Sequence, residues 1–235
     1  MDVIDRALSQ GGGLIDFGNV QLSYDTPETP VGGWPCKADQ YFMAKSVPYI
    51  TGYMELADSR RFRSILEIGI FKGGSVVFLD QLFKPDRLSA VELNSERLPK
   101  LDDYVARHGI ANINLHYGID QADRKTLRDI VDRDFDAPLD LVIDDASHCY
   151  AQTKASFETL FPRLGFGGVY IIEDWNWGHT RPEDGGDGNE DITRLLFEII
   201  TLHAKHGDIV THMSLQPGFF SVTKGARPIR DDFHL

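Results

Sequence analysis

The sequence is short of cysteine, short of positive charge relative to negative, and without any long apolar run. Two cysteines in 235 residues, Cys36 and Cys149, exclude a disulfide framework and offer no zinc-ligand spacing. No window approaches the roughly 20 consecutive apolar residues that cross a membrane as a helix. The opening MDVIDRALSQGGG lacks the basic and apolar regions of a secretory leader, so a cytoplasmic protein is expected. Lys and Arg total 24 against 36 Asp and Glu, a formal charge of −12. That balance disfavours nucleic acid or an anionic membrane surface as the main partner. It leaves room for a small cationic ligand or a divalent metal. With 42% hydrophobic and 11% aromatic residues, the chain can bury a core and is not globally disordered.

No internal repeat or low-complexity tract is present. The first 36 residues are irregular in composition, with glycines at 11–13 and Pro27, Pro30 and Pro35. From Lys37 to Arg61 the pattern reads as helical, with Pro48 as a break or kink. Residues 1–60 are therefore expected to form an extension, irregular and then helical, ahead of a domain at 61–235. In that domain, β-rich runs at Ser64–Ile68, Leu88–Leu93, Ile113–Tyr117, Leu139–Ile143 and Gly168–Ile172 alternate with helical stretches at Ser75–Leu82, Glu96–His108, Arg124–Arg133 and Tyr150–Leu164. Near-continuous apolar strands between helices predict a parallel sheet inside an α/β, doubly wound domain. A further helix is expected at Glu190–His206, then strands at Ile209–Leu215 and Phe219–Thr223. Their hairpin-length separation makes one of them antiparallel, in a sheet of seven strands. The glycine-rich, acidic stretch Gly178–Asn189 reads as a surface loop, either a binding loop or a solvated connection.

The first strand runs through Glu67 into Gly69, and the turn Gly69-Ile-Phe-Lys-Gly73-Gly74-Ser75 leads into a helix. Glycine at a strand's carboxyl end admits close backbone approach, and a helix N-terminus offers N–H groups. Phe71 stands where a dinucleotide fingerprint needs its second glycine, and no P-loop lysine follows Gly73. The turn thus suits a nucleoside without a pyrophosphate. Glu92 ends the second strand, about 20 residues on, where a carboxylate can accept ribose hydroxyls. This pattern resembles the first motif and acidic ribose site of class I S-adenosylmethionine-dependent methyltransferases, over roughly Ser64 to Thr223. The resemblance implies a Rossmann-like methyltransferase fold. It further implies that Glu67, Gly69, Gly73 and Ser75 hold the methionine end, Glu92 the ribose, and Asp120 or Gln121 the adenine. An aspartate after a strand is also a routine helix cap.

The fourth strand runs into Asp144-Asp145-Ala146-Ser147-His148 and the fifth into Glu173-Asp174-Trp175. In a doubly wound sheet these ends are neighbours, and four converging carboxylates would repel unless a hard cation such as Mg²⁺ sat among them. His148 can accept a proton near neutral pH, though a lone histidine is more often structural. The two segments, with Ser156-Phe-Glu-Thr-Leu-Phe-Pro162 between them, resemble the macrocin O-methyltransferase group, which methylates sugar hydroxyls of antibiotic glycosides. Similar enzymes act on methylmannose polysaccharides. The resemblance implies Mg²⁺ ligands Asp145, Glu173 and Asp174, His148 as base, an oligosaccharide or small-molecule acceptor, and a homo-oligomer. Ala146 replaces the group's usual glycine. The alternatives are a catechol-type O-methyltransferase, a nicotinamide oxidoreductase, which Phe71 argues against, and a non-catalytic binding module.

Overall fold

The computed structural model describes residues 2–27, 40–107, 112–180 and 192–235. The chain opens with helix α1 (Asp2–Gln10) and three short strands, β1 (Leu14–Asp16), β2 (Gln21–Tyr24) and β3 (Gln40–Met43), before helix α2 (Val47–Ser59). The helix expected from Lys37 therefore starts ten residues later, and Pro48 sits in its first turn after Ser46 as N-cap. The N–H groups of a first turn have no partner within the helix, so proline initiates there without loss.

Strand and helix then alternate through β4 (Ser64–Ile68), α3 (Gly74–Phe83), β5 (Arg87–Glu92), α4 (Pro99–Arg107), β6 (Ile113–Tyr117), α5 (Arg124–Asp134), β7 (Leu139–Asp144) and α6 (Tyr150–Leu160). A 3-10 turn at Phe161–Arg163, containing Pro162, ends α6 four residues earlier than the periodicity suggested. Strand β8 (Leu164–Glu173), the short α7 (Trp177–Thr180), α8 (Ile192–Lys205), β9 (Val210–Gln216) and β10 (Phe219–Lys224) complete the order. Of the expected loop at Gly178–Asn189, residues 181–189 lie outside the described residues.

The described residues fall into two compact units that interleave along the chain. The first draws on Met1–Phe62, Ile70–Pro85 and Arg97–Asn112. Its small sheet has the order β1-β2-β3, antiparallel between β1 and β2 and parallel between β2 and β3. Helix α3 comes so close to β3 that a Cβ on Gly74 would lie 2.0 Å from the Phe42 carbonyl oxygen. Gly74 is thus fixed by packing onto the N-terminal strands. Edge-on aromatic pairs, Tyr53 with Phe78 at 6.2 Å and Phe62 with Phe83 at 5.4 Å, join α2 and its following residues to α3. The Tyr104 hydroxyl donates to Asp80 at 2.5 Å and ties α4 to α3.

The second unit draws on Arg63–Gly69, Asp86–Glu96 and Ile113–Leu235. Its seven-stranded sheet has the order β6-β5-β4-β7-β8-β10-β9. Strand β10 is antiparallel to both of its neighbours, and the other pairings are parallel. Every residue of β4 is buried, the mark of a central strand covered on both faces. Helices α5, α6 and α8 bury Leu127, Ile130, Phe157, Leu160, Leu195 and Ile199 with Leu66, Ile68 and Phe220 of the sheet. Each such side chain contributes about 1.5–3 kcal/mol relative to exposure.

Asp134 closes α5 against the sheet. Its carboxylate lies 2.6 Å from His116 Nε2, and Ser89 Oγ donates to it at 2.8 Å. Burial alone would raise its pKa, but these contacts and Arg133 hold it below the ordinary carboxylate value of 3.8. A depressed folded pKa gives stability that is complete above the unfolded value and lost as pH falls through the folded one. Asp134→Asn is therefore expected to flatten the acid limb of stability below about pH 4. Urea unfolding midpoints at pH 3–7 check this.

Candidate active site

The site is built where the parallel strands end. Beyond β4, the Gly69 N–H donates to the Val91 carbonyl at 2.8 Å, and the Asp145 N–H donates to the Ile68 carbonyl at 2.9 Å. The loops after β4 and β7 therefore stay in contact past the ladder. Gly69 has φ +102, and a Cβ there would lie 2.0 Å from the Asp145 carbonyl oxygen. What needs glycine at this position is the Asp145 loop itself. Gly69→Ala is expected to push that loop away and destabilise the fold by about 2–4 kcal/mol. Urea unfolding and Mg²⁺ titration of the variant measure the two consequences together.

The expected nucleoside contacts divide. Glu67 is fully buried in the middle of the sheet, in register with Ala90 and Ile143. Glu92 is half-buried at the end of β5, where its Oε1 accepts the Asn94 N–H at 2.9 Å and its carbonyl accepts the Ile119 N–H at 2.9 Å. Asp120 is exposed, and its Oδ1 accepts the Ala122 N–H at 2.8 Å. The α5 cap is Asp123, which accepts from the Thr126 N–H. Gln121 faces inward: its Nε2 donates to Asp144 at 3.1 Å and its Oε1 accepts the Ser147 N–H at 2.9 Å. Both ends of that amide fasten the loop after β7, which leaves Asp120 as the exposed member of the pair. Gly73, with φ +81, is the N-cap of α3, and Ser75 is the second residue of that helix. Both belong to the first unit.

At the end of β7 the two aspartates separate. Asp144 is buried, accepting from the Tyr170 hydroxyl at 2.9 Å, from Gln121 and from Ser156. Burial pushes its pKa up to about 6, although those donors and nearby His148 favour the charged form. Asp145 instead joins His148 and Asp174, with one ligand atom from each lying within 4.8 Å of the others, all three half-buried. His148 Nε2 is 3.9 Å from Asp174 Oδ2. Glu173 is 2% exposed and stands outside this cluster.

His148 has φ +54 and Asp174 φ +51, left-handed values that cost a non-glycine residue roughly 1–2 kcal/mol. The surrounding bonds hold both turns. The Asp174 N–H donates to the Gly218 carbonyl at 2.7 Å, and the Trp177 N–H donates to the Asp174 carbonyl at 3.0 Å. Trp175 Nε1 donates to the Gln216 carbonyl at 2.8 Å. The loop after β8 is thereby pinned to the β9–β10 turn. The Trp177 ring lies against the His148 ring, centroids 4.6 Å apart. Sequence reading did not find that contact, or the Ser156 and Tyr170 partners of Asp144, because each joins residues from different elements of the chain. Two carboxylates and an imidazole at this spacing suit a divalent cation: the carboxylates supply hard oxygen ligands, and a cation removes their mutual repulsion.

Residues 66–175 match a family model described as a methyltransferase domain. An 8-demethyl-8-alpha-L-rhamnosyl tetracenomycin-C 2'-O-methyltransferase of Streptomyces olivaceus is 33% identical over 144 residues, 57% of this chain and 34% of the relative. The demethylmacrocin O-methyltransferase of Streptomyces fradiae is 37% identical over 86 residues, 35% of this chain and 22% of the relative. This chain thus spans about a third or less of the length of these curated relatives. Among solved structures, the MycE methyltransferase of the mycinamycin pathway, in complex with Mg, SAH and mycinamycin VI, superposes with a TM-score of 0.57 at 26% identity. That likeness covers 79% of this chain and 50% of that one.

Proposed function

We propose that this chain, whose residues 66–175 match a methyltransferase-domain model, methylates a sugar hydroxyl with S-adenosylmethionine, assisted by Mg²⁺. The acceptor is a glycoside, an oligosaccharide or a polysaccharide precursor such as a methylmannoside. The observation that carries this reading is the joining of Asp145, His148 and Asp174 at the ends of β7 and β8. The rhamnosyl and macrocin relatives, both O-methyltransferases by name, supply the acceptor class.

When bound, S-adenosylmethionine would supply an electrophilic methyl group and Mg²⁺ would supply Lewis-acid polarisation of the accepting hydroxyl. Asp145 and Asp174 would hold the cation. His148 takes the hydroxyl proton on its ring nitrogen as the oxygen attacks. Glu92 receives the ribose hydroxyls, Asp120 lies toward the adenine, and Glu67 and Gly69 shape the methionine end. Asp144 stays inside, holding the loop that carries Asp145 and His148 through Gln121.

A methyl-transfer assay over mono- and disaccharide glycosides and a catechol, with and without Mg²⁺, tests the reading. Transfer to a glycoside that stops on EDTA treatment is expected. Transfer to the catechol alone would replace the sugar reading with the catechol-type one. The cluster geometry also favours a second reading, in which His148 is a third ligand to the cation. Mg²⁺ affinity of His148→Ala separates the two.

A further inference from the structure

We propose that Trp177 is a positioning residue for His148, holding the imidazole so that Nε2 stays on the Asp145–Asp174 side. This rests on the reading of His148 as the base.

The contact is specific in its geometry. The two rings lie 4.6 Å apart at 46°, and the His148 side chain is 12% exposed. An imidazole has a broad, nearly two-fold torsion at its ring bond, and a half-turn puts Cε1 where Nε2 was and Cδ2 where Nδ1 was. A flipped ring would therefore turn a carbon, not Nε2, toward Asp174. A base must be within reach of its proton, so the orientation of the ring matters as much as its presence. The indole blocks the swing on one side, and the Asp174 carboxylate stands 3.9 Å from Nε2 on another.

Trp177 is also tied to the cluster through its backbone. Its N–H donates to the carbonyl of Asp174, the residue whose left-handed turn begins the loop. The same short segment therefore delivers a carboxylate with Asp174 and a ring wall with Trp177. A movement of this loop would shift both together. That linkage is what a residue serving only to fill space would not require.

The test is a double-variant cycle on the full chain, with turnover, Mg²⁺ affinity and the His148 Hε1 proton resonance as readouts. Trp177→Ala is expected to lower kcat on the order of tenfold, the scale of a misplaced catalytic group. The KM for acceptor and Mg²⁺ affinity should stay within about twofold, since Trp177 is not a ligand. Trp177→Phe, which keeps an aromatic wall, is expected to recover most of the loss. In a His148→Ala background, Trp177→Ala should cost nothing further. In the resting protein the Hε1 signal should carry a ring-current shift that Trp177→Ala removes.

An added loss in the His148→Ala background, or an Hε1 signal unmoved by Trp177→Ala, overturns the positioning role. A raised acceptor KM with intact kcat overturns it too, in favour of a sugar-stacking platform. If His148→Ala itself turns over like the wild type, the base reading falls and this proposal with it. That outcome is distinct from an additive cycle, which removes the positioning role alone.

Discussion

Replacing His148 by alanine is expected to lower kcat by roughly 10²–10⁴-fold, the usual contribution of a positioned general base. Mg²⁺ and S-adenosylmethionine affinities should change by less than about twofold, because the carboxylates and strand-end groups that hold them are untouched. The structural basis is the position of His148 near the end of the loop into α6, three residues beyond Asp145. Its Nε2 is 3.9 Å from Asp174 Oδ2, longer than a hydrogen bond, so the two groups share a site without forming a direct bond. Single-turnover methyl transfer and calorimetric Mg²⁺ titration read the two quantities separately. A fall in Mg²⁺ affinity of tenfold or more would make His148 a ligand, and unchanged turnover would remove it from the chemistry.

The central sheet was readable because its strands are buried on both faces. Ser64–Ile68 has a buried residue at every position, and such a run has no polar side to blur its ends. The N-terminal strands show the opposite case. Tyr41, Phe42 and Met43 are an apolar triplet that fits a helix or a strand equally, and only length and neighbours decide. The parallel partner of β3 is β2, 19 residues earlier, and no local period records that pairing. Pro48 misled for a related reason: its effect depends on whether it falls inside a helix or at its first turn.

The candidate site was legible in its residue types more than in its directions. The Asp-Asp and Glu-Asp pairs mark the ends of β7 and β8, but a pair does not say which member faces the cleft. Asp144 turns inward to Tyr170, Ser156 and Gln121, whereas Asp145 turns to His148 and Asp174. Gln121, expected beside the adenine, also bonds Asp144 and the Ser147 N–H. Gly69 was expected to make room for a ligand, and its missing Cβ makes room for the Asp145 carbonyl. In each case the deciding neighbour comes from another strand's loop, which one chain segment read alone does not contain.

The acidic pairs therefore give an asymmetric expectation for metal binding. Asp145→Ala should abolish Mg²⁺-dependent turnover, a loss of at least about 10³-fold if Lewis-acid stabilisation is worth several kcal/mol. Asp174→Ala should match it, since each removes one of the two carboxylates in the cluster. Asp144→Asn should leave Mg²⁺ affinity largely intact and lower stability instead, because its partners Tyr170 and Ser156 are buried. Leaving such a hydrogen-bond donor poorly matched costs about 1–3 kcal/mol. Glu173→Gln, outside the cluster, decides whether the third expected ligand takes part: a Mg²⁺ affinity equal to wild type excludes it, and a tenfold loss restores it. The four variants, each titrated with Mg²⁺ and unfolded in urea, separate metal-holding from fold-holding acids. Equal Mg²⁺ affinity in wild type, Asp145→Ala and Asp174→Ala would remove the cation from this cluster. The surplus of negative charge would then serve solvation alone.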